Sequence, residues 1–471
     1  MRAATLIFGL VFLVLNVAGQ AATFNIADGD VAGLIAAIQT ANANGETNIL
    51  NLAPNGHYVL TTVADSSPDY QSSGAAGLPY VRSQLTINGN GATIQRSTAS
   101  GTPNFVIIEV SGYTPAAQNN CQTGCINATL TLNGVTLTGG VGGLHLTYAT
   151  AFLQNSTVTQ NVETGIGNTC SSLTLLNSTV SYNTSNSAYG GGGVFMWQFS
   201  CPPSLPTTNI IFSTIYENSN PGWGRGNAIA TNAGLPGSVV LKNSILASPS
   251  HPSENICNGN TALYLSLGHN IVGDASCELT GTGDMNSTDP LLGTTVDNGG
   301  LTPTDLPSPD SPSVNAVPLA DCTDTSGVSV ATDQRGVSRP QGAACDIGSV
   351  EVVLGPKYHT CLLYDTSKVV PSGATDPIKL QLCDAAGDDL SASTITLHAI
   401  SITRVSTSIS GTVQDAGNAN PDNDFRFDST LGSTGGYIFN LSTKGLTTGS
   451  YNLNFTVSGD TSTYSAPFQV K

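Results

Sequence analysis

A short strand-like phrase recurs along residues 130–246 and constrains the fold more than any other feature. It reads LTLNGVTLTGG at 130, FLQNSTVTQN at 152, LTLLNSTVSYN at 173, IIFSTIYEN at 210 and VVLKNSILA at 239. Its marker position falls at Asn133, Asn155, Asn177, Phe212 and Asn243, so the intervals are 22, 22, 35 and 31 residues. Apolar and polar residues alternate within each phrase, and no linking segment is long enough for a crossover helix. The pattern predicts turns of a parallel β-solenoid, with loops inserted into the later turns.

Asparagine recurs at two positions of this repeat. One set is Asn133, Asn155, Asn177 and Asn243, and a second set, six residues after the marker, is Asn161, Asn183 and Asn218. Stacked amides can hydrogen-bond from turn to turn, and asparagine also tolerates the left-handed backbone of a sharp corner. Both sets are therefore predicted to form structural ladders.

Residues 1–21 have the features of a secretory signal peptide. Arg2 precedes an apolar run at 6–17 and small residues at 18–22, which places the expected cleavage near Ala21 or Ala22. That run is too short to span a membrane, and no later stretch approaches about 18 consecutive apolar residues. We therefore expect the mature chain to be secreted or displayed at the cell surface, without a transmembrane segment.

Charge and cysteine content fit an exported protein. The chain has 14 Lys and Arg against 31 Asp and Glu, and its net charge of -17 argues against nucleic acid and anionic membranes as partners. Ten cysteines suit disulfides in an oxidising compartment. No histidine lies at ligand spacing from a cysteine pair, which favours bridges over a metal site. Sequence order alone does not fix the connectivity, but pairing of neighbours gives Cys121 with Cys125, Cys170 with Cys201, Cys257 with Cys277, Cys322 with Cys345, and Cys361 with Cys383.

A helix is predicted over residues 28–43. Val31, Leu34, Ile35 and Ile38 have helical spacing, an aspartate at 28 or 30 can cap the start, and a glycine at 45 can end it. The first turn of a solenoid would otherwise expose its core and unpaired strand edges. The helix is therefore expected to cap the N-terminal end.

The motifs after residue 268 carry a family resemblance. GHNIVGD at 268, TDPLLG at 288, DNGGLTPT at 297 and the block from TDQRG to DIGSVE at 332–351 resemble the bacterial choice-of-anchor Q domain proteins. The resemblance covers about residues 22–351. It implies export and an all-β fold, a right-handed parallel β-helix of the pectin-lyase-like kind with capped ends. It implies no catalytic residues.

A second unit is predicted at 356–471. Short alternating strands begin at Ile378, Tyr437, Tyr451 and Tyr464 and are separated by turn residues, as in a small antiparallel β-sandwich. The segment GGYIFNLSTKGLTTGSYNLNFTV resembles bacterial Ig-like surface modules. An Ig-like β-sandwich is the expectation for this unit.

Polysaccharide cleavage would require paired carboxylates, or acidic calcium ligands with a basic residue, on one face. Between 110 and 253 the acids are Glu163 and Glu217, which follow their markers by eight and five residues and so occupy different repeat positions. His145, between two leucines, is expected to face outward from a strand. Catalytic residues are therefore predicted to be none. Asp274, Asp284, Asp289 and Asp297 are more typical of turns and caps than of a calcium site, so no cofactor is predicted and calcium is the open alternative.

Aromatic residues concentrate where the repeat intervals lengthen. Tyr189, Trp197, Tyr216 and Trp223 lie there, and Arg225 follows in GWGRGN, where it would clamp a sugar carboxylate or cap a loop. Apolar sugar faces stack on such rings, whereas the competing interpretation is that these rings pack the core. The predicted function is a structural or adhesive surface protein that binds polysaccharide or a cell-surface glycan, as a monomer. The alternative is a polysaccharide lyase or glycoside hydrolase acting on acidic polysaccharide.

Overall fold

The computed structural model describes residues 21–66, 74–113, 125–186, 190–197, 201, 207–221, 226–231, 239–258, 261–353, 355–384, 386–406, 409–414, 420–432, 434–460 and 462–471. The chain divides into two compact units, the first ending at Val352 and the second spanning Val353–Lys471. Among the described residues, no helix is both long enough and apolar enough to cross a membrane.

The first unit is built from three parallel sheets, here called sheets 1, 2 and 3, which the chain visits in turn. Sheet 1 contains, in spatial order, β1 (Thr23–Ile26), β2 (Thr47–Leu52), β4 (Gln84–Asn88), β7 (Thr129–Asn133), β10 (Thr150–Gln154), β13 (Ser172–Leu176), β16 (Thr208–Ile211), β19 (Val239–Lys242) and β21 (Tyr264–Ser266). Sheet 2 contains β3 (His57–Leu60), β5 (Thr93–Arg96), β8 (Thr136–Thr138), β11 (Thr157–Thr159), β14 (Thr179–Ser181), β17 (Thr214–Tyr216), β20 (Ile245–Ala247) and β22 (Ile271–Val272). Sheet 3 contains β6 (Ile108–Ser111), β9 (Gly142–Thr147), β12 (Thr164–Thr169), β15 (Val194–Trp197) and β18 (Ile229–Thr231). The five turns that begin at β4, β7, β10, β13 and β16 each supply one strand to each sheet, which is the connectivity of a parallel β-solenoid.

Aliphatic side chains fill the interior of the solenoid. One inward row of each sheet illustrates this: Leu153 in sheet 1, Val158 in sheet 2 and Ile166 in sheet 3 are at most 1% exposed and share one core. Because successive side chains on a strand point to opposite faces, the alternate residues of every strand face outward.

A buried amide ladder crosses the corner between sheets 2 and 3. The Asn161 Nδ2 donates to Asn183 Oδ1 at 2.9 Å, and the Asn183 Nδ2 donates to Asn218 Oδ1 at 2.9 Å. A Cβ atom at Gly165 would lie 2.8 Å from Asn183 Nδ2, so the glycine makes room for the amide. The second predicted asparagine set therefore stacks from turn to turn.

In the first predicted asparagine set, Asn133 lies one position out of register with the other three members. Asn133 pairs with Gln154, not with Asn155, and its Nδ2 donates to Asn88 Oδ1 in a different row. Asn155, Asn177 and Asn243 instead have φ angles of 50°, 45° and 53° and form the corner between sheets 1 and 2. Their ability to adopt a left-handed backbone, and not amide stacking, explains the recurrence.

A serine ladder at the same corner was not predicted. The backbone N–H of Ser156 donates to Ser178 Oγ at 3.3 Å, that of Ser178 to Ser213 Oγ at 3.2 Å, and that of Ser213 to Ser244 Oγ at 3.2 Å. Each serine follows a corner residue, so the hydroxyls satisfy backbone donors that the bend removes from the strands.

The predicted helix α1 spans Val31–Asn44 and packs on the first turn. Asp30 caps it, accepting a hydrogen bond from the Gly33 N–H at 2.8 Å, and Gly45 ends it with a φ of 71°. Leu34 and Ile38 are fully buried in the solenoid core. The helix thus covers apolar surface that the N-terminal end would expose. Single turns of 3₁₀ helix occur at Thr261–Leu263, Leu319–Asp321 and Pro421–Asn423.

Residues 288–352, called the brace here, lie against the outer face of sheet 2. The Gln334 Nε2 donates to Thr157 Oγ1 at 2.9 Å, and its Oε1 accepts from Thr179 Oγ1 at 2.7 Å. Ser349 donates its N–H to Thr214 Oγ1 at 3.0 Å. The TDQRG to DIGSVE block therefore has a structural function, because it closes one side of the solenoid.

An ion-pair network holds the brace together. Arg339 and Glu351 are both fully buried at their side chains and approach to 2.8 Å, and the Arg339 guanidinium lies 4.5 Å from the centroid of Phe212. Arg335 donates to Asp333 Oδ2 at 2.9 Å. Burial lowers the pKa of Arg339 and raises that of the neighbouring Asp346 to about 6.

The second unit contains two further sheets with one shared core. One consists of β23 (His359–Leu362), β25 (Thr375–Cys383), β29 (Gly436–Ser442) and β28 (Arg426–Asp428), all antiparallel. The other consists of β24 (Val369–Val370), β31 (Thr463–Val470), β30 (Gly449–Val457), β26 (Leu397–Arg404) and β27 (Ile409–Gly411). Phe425 packs between them, 5.0 Å from the ring centroid of Phe439 and 5.2 Å from that of Phe455.

Four of the predicted cysteine pairs are disulfide-bonded in the part of the chain that the structure describes: Cys170–Cys201, Cys257–Cys277, Cys322–Cys345 and Cys361–Cys383. Cys121, the predicted partner of Cys125, lies outside the described residues. The bridges join cysteines 20 to 31 residues apart, and closing segments of that length restricts the unfolded chain.

Candidate functional site

The outward faces of the three sheets differ in what covers them. The brace covers sheet 2, so Tyr216 is 5% exposed and its hydroxyl donates to the Leu292 carbonyl at 3.2 Å. Burial and the nearby Glu217 carboxylate raise the pKa of Tyr216. Tyr216 is therefore unavailable as a sugar platform, contrary to the sequence prediction.

Sheet 3 carries an outward face on which charged, imidazole and aromatic side chains meet. One row along this face runs Glu109, His145, Gly167, Phe195 and Ala230 through the paired strands. The next row runs Ser111, Thr147, Thr169 and Trp197. We call these two rows the third-sheet face. They bring together residues that lie almost 90 positions apart, from 109 to 197.

The third-sheet face contains a buried carboxylate beside an imidazole. Glu109 is 0% exposed and its Oε1 accepts from Thr147 Oγ1 at 2.8 Å. Its Oε2 lies 4.0 Å from His145 Nδ1, while His145 Nε2 has no hydrogen-bond partner. Burial lowers the pKa of His145 to about 4, so the ring is neutral at ordinary pH, and its Nε2 atom is itself buried.

Glycine makes the position of that imidazole ring possible. A Cβ at Gly167, the next residue along the row, would lie 2.9 Å from His145 Cδ2. Any other residue would therefore push the ring away from the sheet. The prediction that His145 faces outward agrees with this row, in which its neighbours Leu144 and Leu146 point into the core.

Phe195 and Trp197 form an aromatic pair on the same face. Their ring centroids lie 6.2 Å apart with an interplanar angle of 71°. Both are half-buried, while the alternating Val194 and Met196 are fully buried in the core. The two rings thus do not fill the solenoid core, which was the competing interpretation for Trp197.

The remaining predicted ligand residues cannot be placed. Tyr189, Trp223 and Arg225 lie outside the described residues. In sequence, Tyr189 precedes β15, and Trp223 and Arg225 precede β18.

A second cluster surrounds His251 at a different corner of the solenoid. His251 Nε2 lies 3.8 Å from Glu217 Oε2, and His251 Nδ1 lies 3.8 Å from Glu254 Oε1. A cavity of about 160 Å³ is lined there by His251, Glu254, Asp274 and Asp289, together with prolines and small apolar residues. Glu163, by contrast, is exposed on another turn. The two central acids are thus not a catalytic pair.

The carboxylates of this cluster are occupied by backbone donors. Glu217 accepts from the Ser250 N–H at 3.1 Å and Glu254 from the Asn220 N–H at 2.6 Å. Glu217 also has a φ of 52°, a corner conformation. The acids therefore position loops.

The four acids considered for calcium have comparable roles. Asp274 accepts from the Ile256 N–H, Asp284 from Asn270, Asp289 from the Leu291 N–H and Asp297 from the Gly299 N–H. In the described part of the chain, no group of three or more His, Cys, Asp or Glu side chains is arranged to hold a metal ion.

Sequence reasoning missed Glu109, because it lies before the recognisable repeats and its strand has no clear alternation. Its burial pattern is continuous over Ile108–Ser111. Only the strand pairing of Glu109 with His145 shows that both belong to one row.

Comparison with known protein families finds no matching family model, and a search of curated proteins finds no match. Among solved structures, the chain is similar to the filamin domain of Lin-41, with 22% sequence identity and a TM-score of 0.16. The similarity covers 25% of this chain and 98% of the filamin domain. A likeness at that TM-score carries no conclusion about fold or function.

Proposed function

We propose that this protein is a secreted or cell-surface β-solenoid with a structural or adhesive role, which holds a glycan on the third-sheet face. The observation that carries the proposal is the outward aromatic pair Phe195 and Trp197 beside the neutral His145. Aromatic rings stack on the apolar faces of sugars. The rigid strands beneath keep this arrangement fixed, which lowers the entropic cost of binding.

We also propose a more specific fold for each of the two units. The solenoid is taken as a right-handed, pectin-lyase-like β-helix, since parallel β connections are almost always right-handed. The motifs at 268–351 support membership of the choice-of-anchor Q proteins, and the second unit is taken as an Ig-like module. The signal-like leader and the disulfides support export, because disulfides persist in oxidising compartments.

A polysaccharide or cell-surface glycan is the proposed partner, with the protein acting as a monomer. The net charge of -17 makes nucleic acids and anionic lipid surfaces unsuitable partners. The alternative, acidic polysaccharides, would meet the same repulsion. Uncharged glycans are therefore the better expectation for this surface.

Substitution of Trp197 tests this proposal. Trp197→Ala should weaken retention on an affinity gel containing the bound glycan by about tenfold, or about 1.4 kcal/mol, because a sugar-stacking ring is lost. Val162→Ala, at a side chain that is 56% exposed elsewhere on the surface, is the control. Unchanged retention in a correctly folded Trp197→Ala variant would remove the site from the third-sheet face.

A polysaccharide lyase or glycoside hydrolase remains the second candidate, and the cavity beside His251 is the observation that favours it. An imidazole between two carboxylates is a plausible acid–base arrangement in chemical terms. Release of unsaturated or reducing ends that disappears in Glu217→Gln would establish this candidate. No release from either protein would leave the cluster with its loop-positioning role.

A further inference from the structure

On the middle strands of sheet 1, the outward side chains are partly or fully exposed. The middle strands β2, β4, β7, β10 and β13 pair in continuous register, so their outward residues form three straight rows. We call these rows the sheet-1 platform. They are Thr47, Gln84, Thr129, Thr150 and Ser172; then Ile49, Thr86, Thr131, Phe152 and Thr174; then Asn51, Asn88, Asn133, Gln154 and Leu176.

No side chain of the sheet-1 platform is charged, although the whole chain has a net charge of -17. Its polar groups are hydroxyls and amides, which donate and accept hydrogen bonds without a preference for either sign of charge. The first charged residue in these rows is Lys242 on β19, and its Nζ is already bonded to Thr323 Oγ1 at 2.7 Å. An uncharged partner is the one that this surface fits.

The polar groups of the platform are fixed at regular spacings. Adjacent strands lie about 4.8 Å apart and alternate residues on one strand about 6.6 Å apart, so the groups form a two-dimensional grid. Threonine is stiff at χ1, which limits the freedom of its hydroxyl. At the edge, Asn133 Nδ2 donates to Asn88 Oδ1 at 3.0 Å and Asn88 Nδ2 to Asn51 Oδ1 at 2.9 Å. The surface is therefore preorganised before any ligand arrives.

One aromatic ring stands in the middle of this grid. Phe152 is 44% exposed and lies between Thr131 and Thr174 in its row. An exposed phenyl ring surrounded by hydroxyls matches the two sides of a sugar, an apolar ring face and an equatorial rim of hydroxyl groups. The phenyl ring projects above the threonine side chains around it, so the platform is a poor match for the flat surface of an ice crystal.

The dimensions and chemistry of the platform point to a polymer. Five strands extend it by roughly 20 Å along the solenoid, which is longer than a single sugar. Protein–protein interfaces concentrate aromatic residues, methionine and arginine at their centres, whereas this surface has threonine and asparagine around one phenylalanine. Linear polysaccharides repeat their hydroxyl groups once per sugar, at a spacing comparable with that between strands.

We infer that the sheet-1 platform binds an uncharged linear polysaccharide along the axis of the solenoid. This surface is separate from the third-sheet face, and the inference shares with the proposed function only the class of ligand. The polymer lies across the strands, stacks one sugar on Phe152 and bonds to the threonine and asparagine rows on either side.

Depletion from solution by insoluble polysaccharides tests this inference. The full mature chain is mixed with microcrystalline cellulose, with chitin and with calcium pectate, and the unbound protein is measured. We expect depletion by at least one of the two uncharged polymers, little by pectate, and about tenfold weaker retention in Phe152→Ala. Leu265→Ala, 47% exposed on the far strand β21 of the same sheet, is the matched control and should bind like the unaltered chain.

The outcomes separate this inference from the proposed function. Loss of retention in Trp197→Ala but not in Phe152→Ala would overturn the sheet-1 site and leave the third-sheet face intact. Depletion by pectate alone, or altered ice growth without polysaccharide retention, would overturn the ligand class. Phe152→Leu keeps the apolar bulk without the ring, so weakened retention in this folded variant supports stacking even if Phe152→Ala is poorly folded.

Discussion

Asparagine serves two different purposes in this solenoid, and only the position in the turn distinguishes them. Asn161, Asn183 and Asn218 stack their buried amides, whereas Asn155 and Asn177 adopt a left-handed backbone at a corner. Sequence recurrence predicted both sets but not the difference, because a one-residue offset at Asn133 is invisible without strand pairing. Phe212, with a φ of 43° at the same corner, shows that the conformation and not the amide recurs.

Removal of a ladder amide should be costly. Asn183→Ala leaves the Asn161 side chain without its acceptor and the Val158 carbonyl without its donor, so we expect a loss of about 1–3 kcal/mol in the free energy of unfolding. Urea denaturation followed by circular dichroism measures it. Asn155→Gly is the control, because glycine adopts the required backbone and should change stability by less than about 0.5 kcal/mol. Equal effects of the two substitutions would contradict the assigned roles.

Asp305 in the brace should make stability depend on pH. It is 1% exposed, and burial, with the charge of Glu217, raises its pKa to about 7, whereas an unfolded aspartate has a pKa of about 3.9. Between about pH 4 and about pH 7, the folded chain therefore keeps a proton that the unfolded chain loses. As pH rises through this range, Asp305 progressively lowers the free energy of unfolding.

Asp305→Asn removes that dependence. The free energy of unfolding of the variant should exceed that of the unaltered chain by little at pH 4 and by about 1–3 kcal/mol above pH 7. Thermal unfolding across the pH range measures this difference. Asp310→Asn, at an exposed position of the same brace, is the control. If the free energy of unfolding increased most at acid pH, the raised pKa of Asp305 would be contradicted.

At the scale of elements, strands could be predicted from sequence and the brace could not. Alternation predicted the phrases that became β7, β10, β13, β16 and β19, and capping residues predicted α1 to within a few positions. The brace depends on contacts such as Gln334 with Thr157, separated by 177 residues, for which no local pattern exists. Tyr216 is covered by another long-range contact of the brace, with Leu292, which is why its predicted role failed.

The buried ion pair should be the most sensitive point of the brace. Glu351→Gln leaves Arg339 charged and buried without its partner. We therefore expect the free energy of unfolding to fall by about 3–5 kcal/mol. The double variant Arg339→Met with Glu351→Gln should lose less than the sum of the single variants, because the uncompensated charge is gone. Denaturation of all three proteins measures the coupling, with the exposed Glu163→Gln as the control. Strict additivity would mean that the pair is not coupled.

At the scale of the whole molecule, the three sheets leave different surfaces to solvent. The brace covers sheet 2, the third-sheet face gathers an imidazole with two rings, and the sheet-1 platform is uncharged over five strands. Composition predicted an acidic, exported β-protein, and the aromatic cluster pointed to the lengthened turns between Tyr189 and Trp223. The platform was missed because its residues are ordinary threonines and asparagines, which become a surface only when strands are stacked in register.

We propose that the protein holds a glycan without cleaving it. The most direct measurement incubates the mature chain with a panel of uncharged and acidic polysaccharides and records, in the same samples, protein depletion and the release of reducing or unsaturated ends. The account predicts depletion by an uncharged polysaccharide and no release above that of a sample without protein, with or without calcium. Sustained release from any polymer in the panel would contradict it and establish an enzyme.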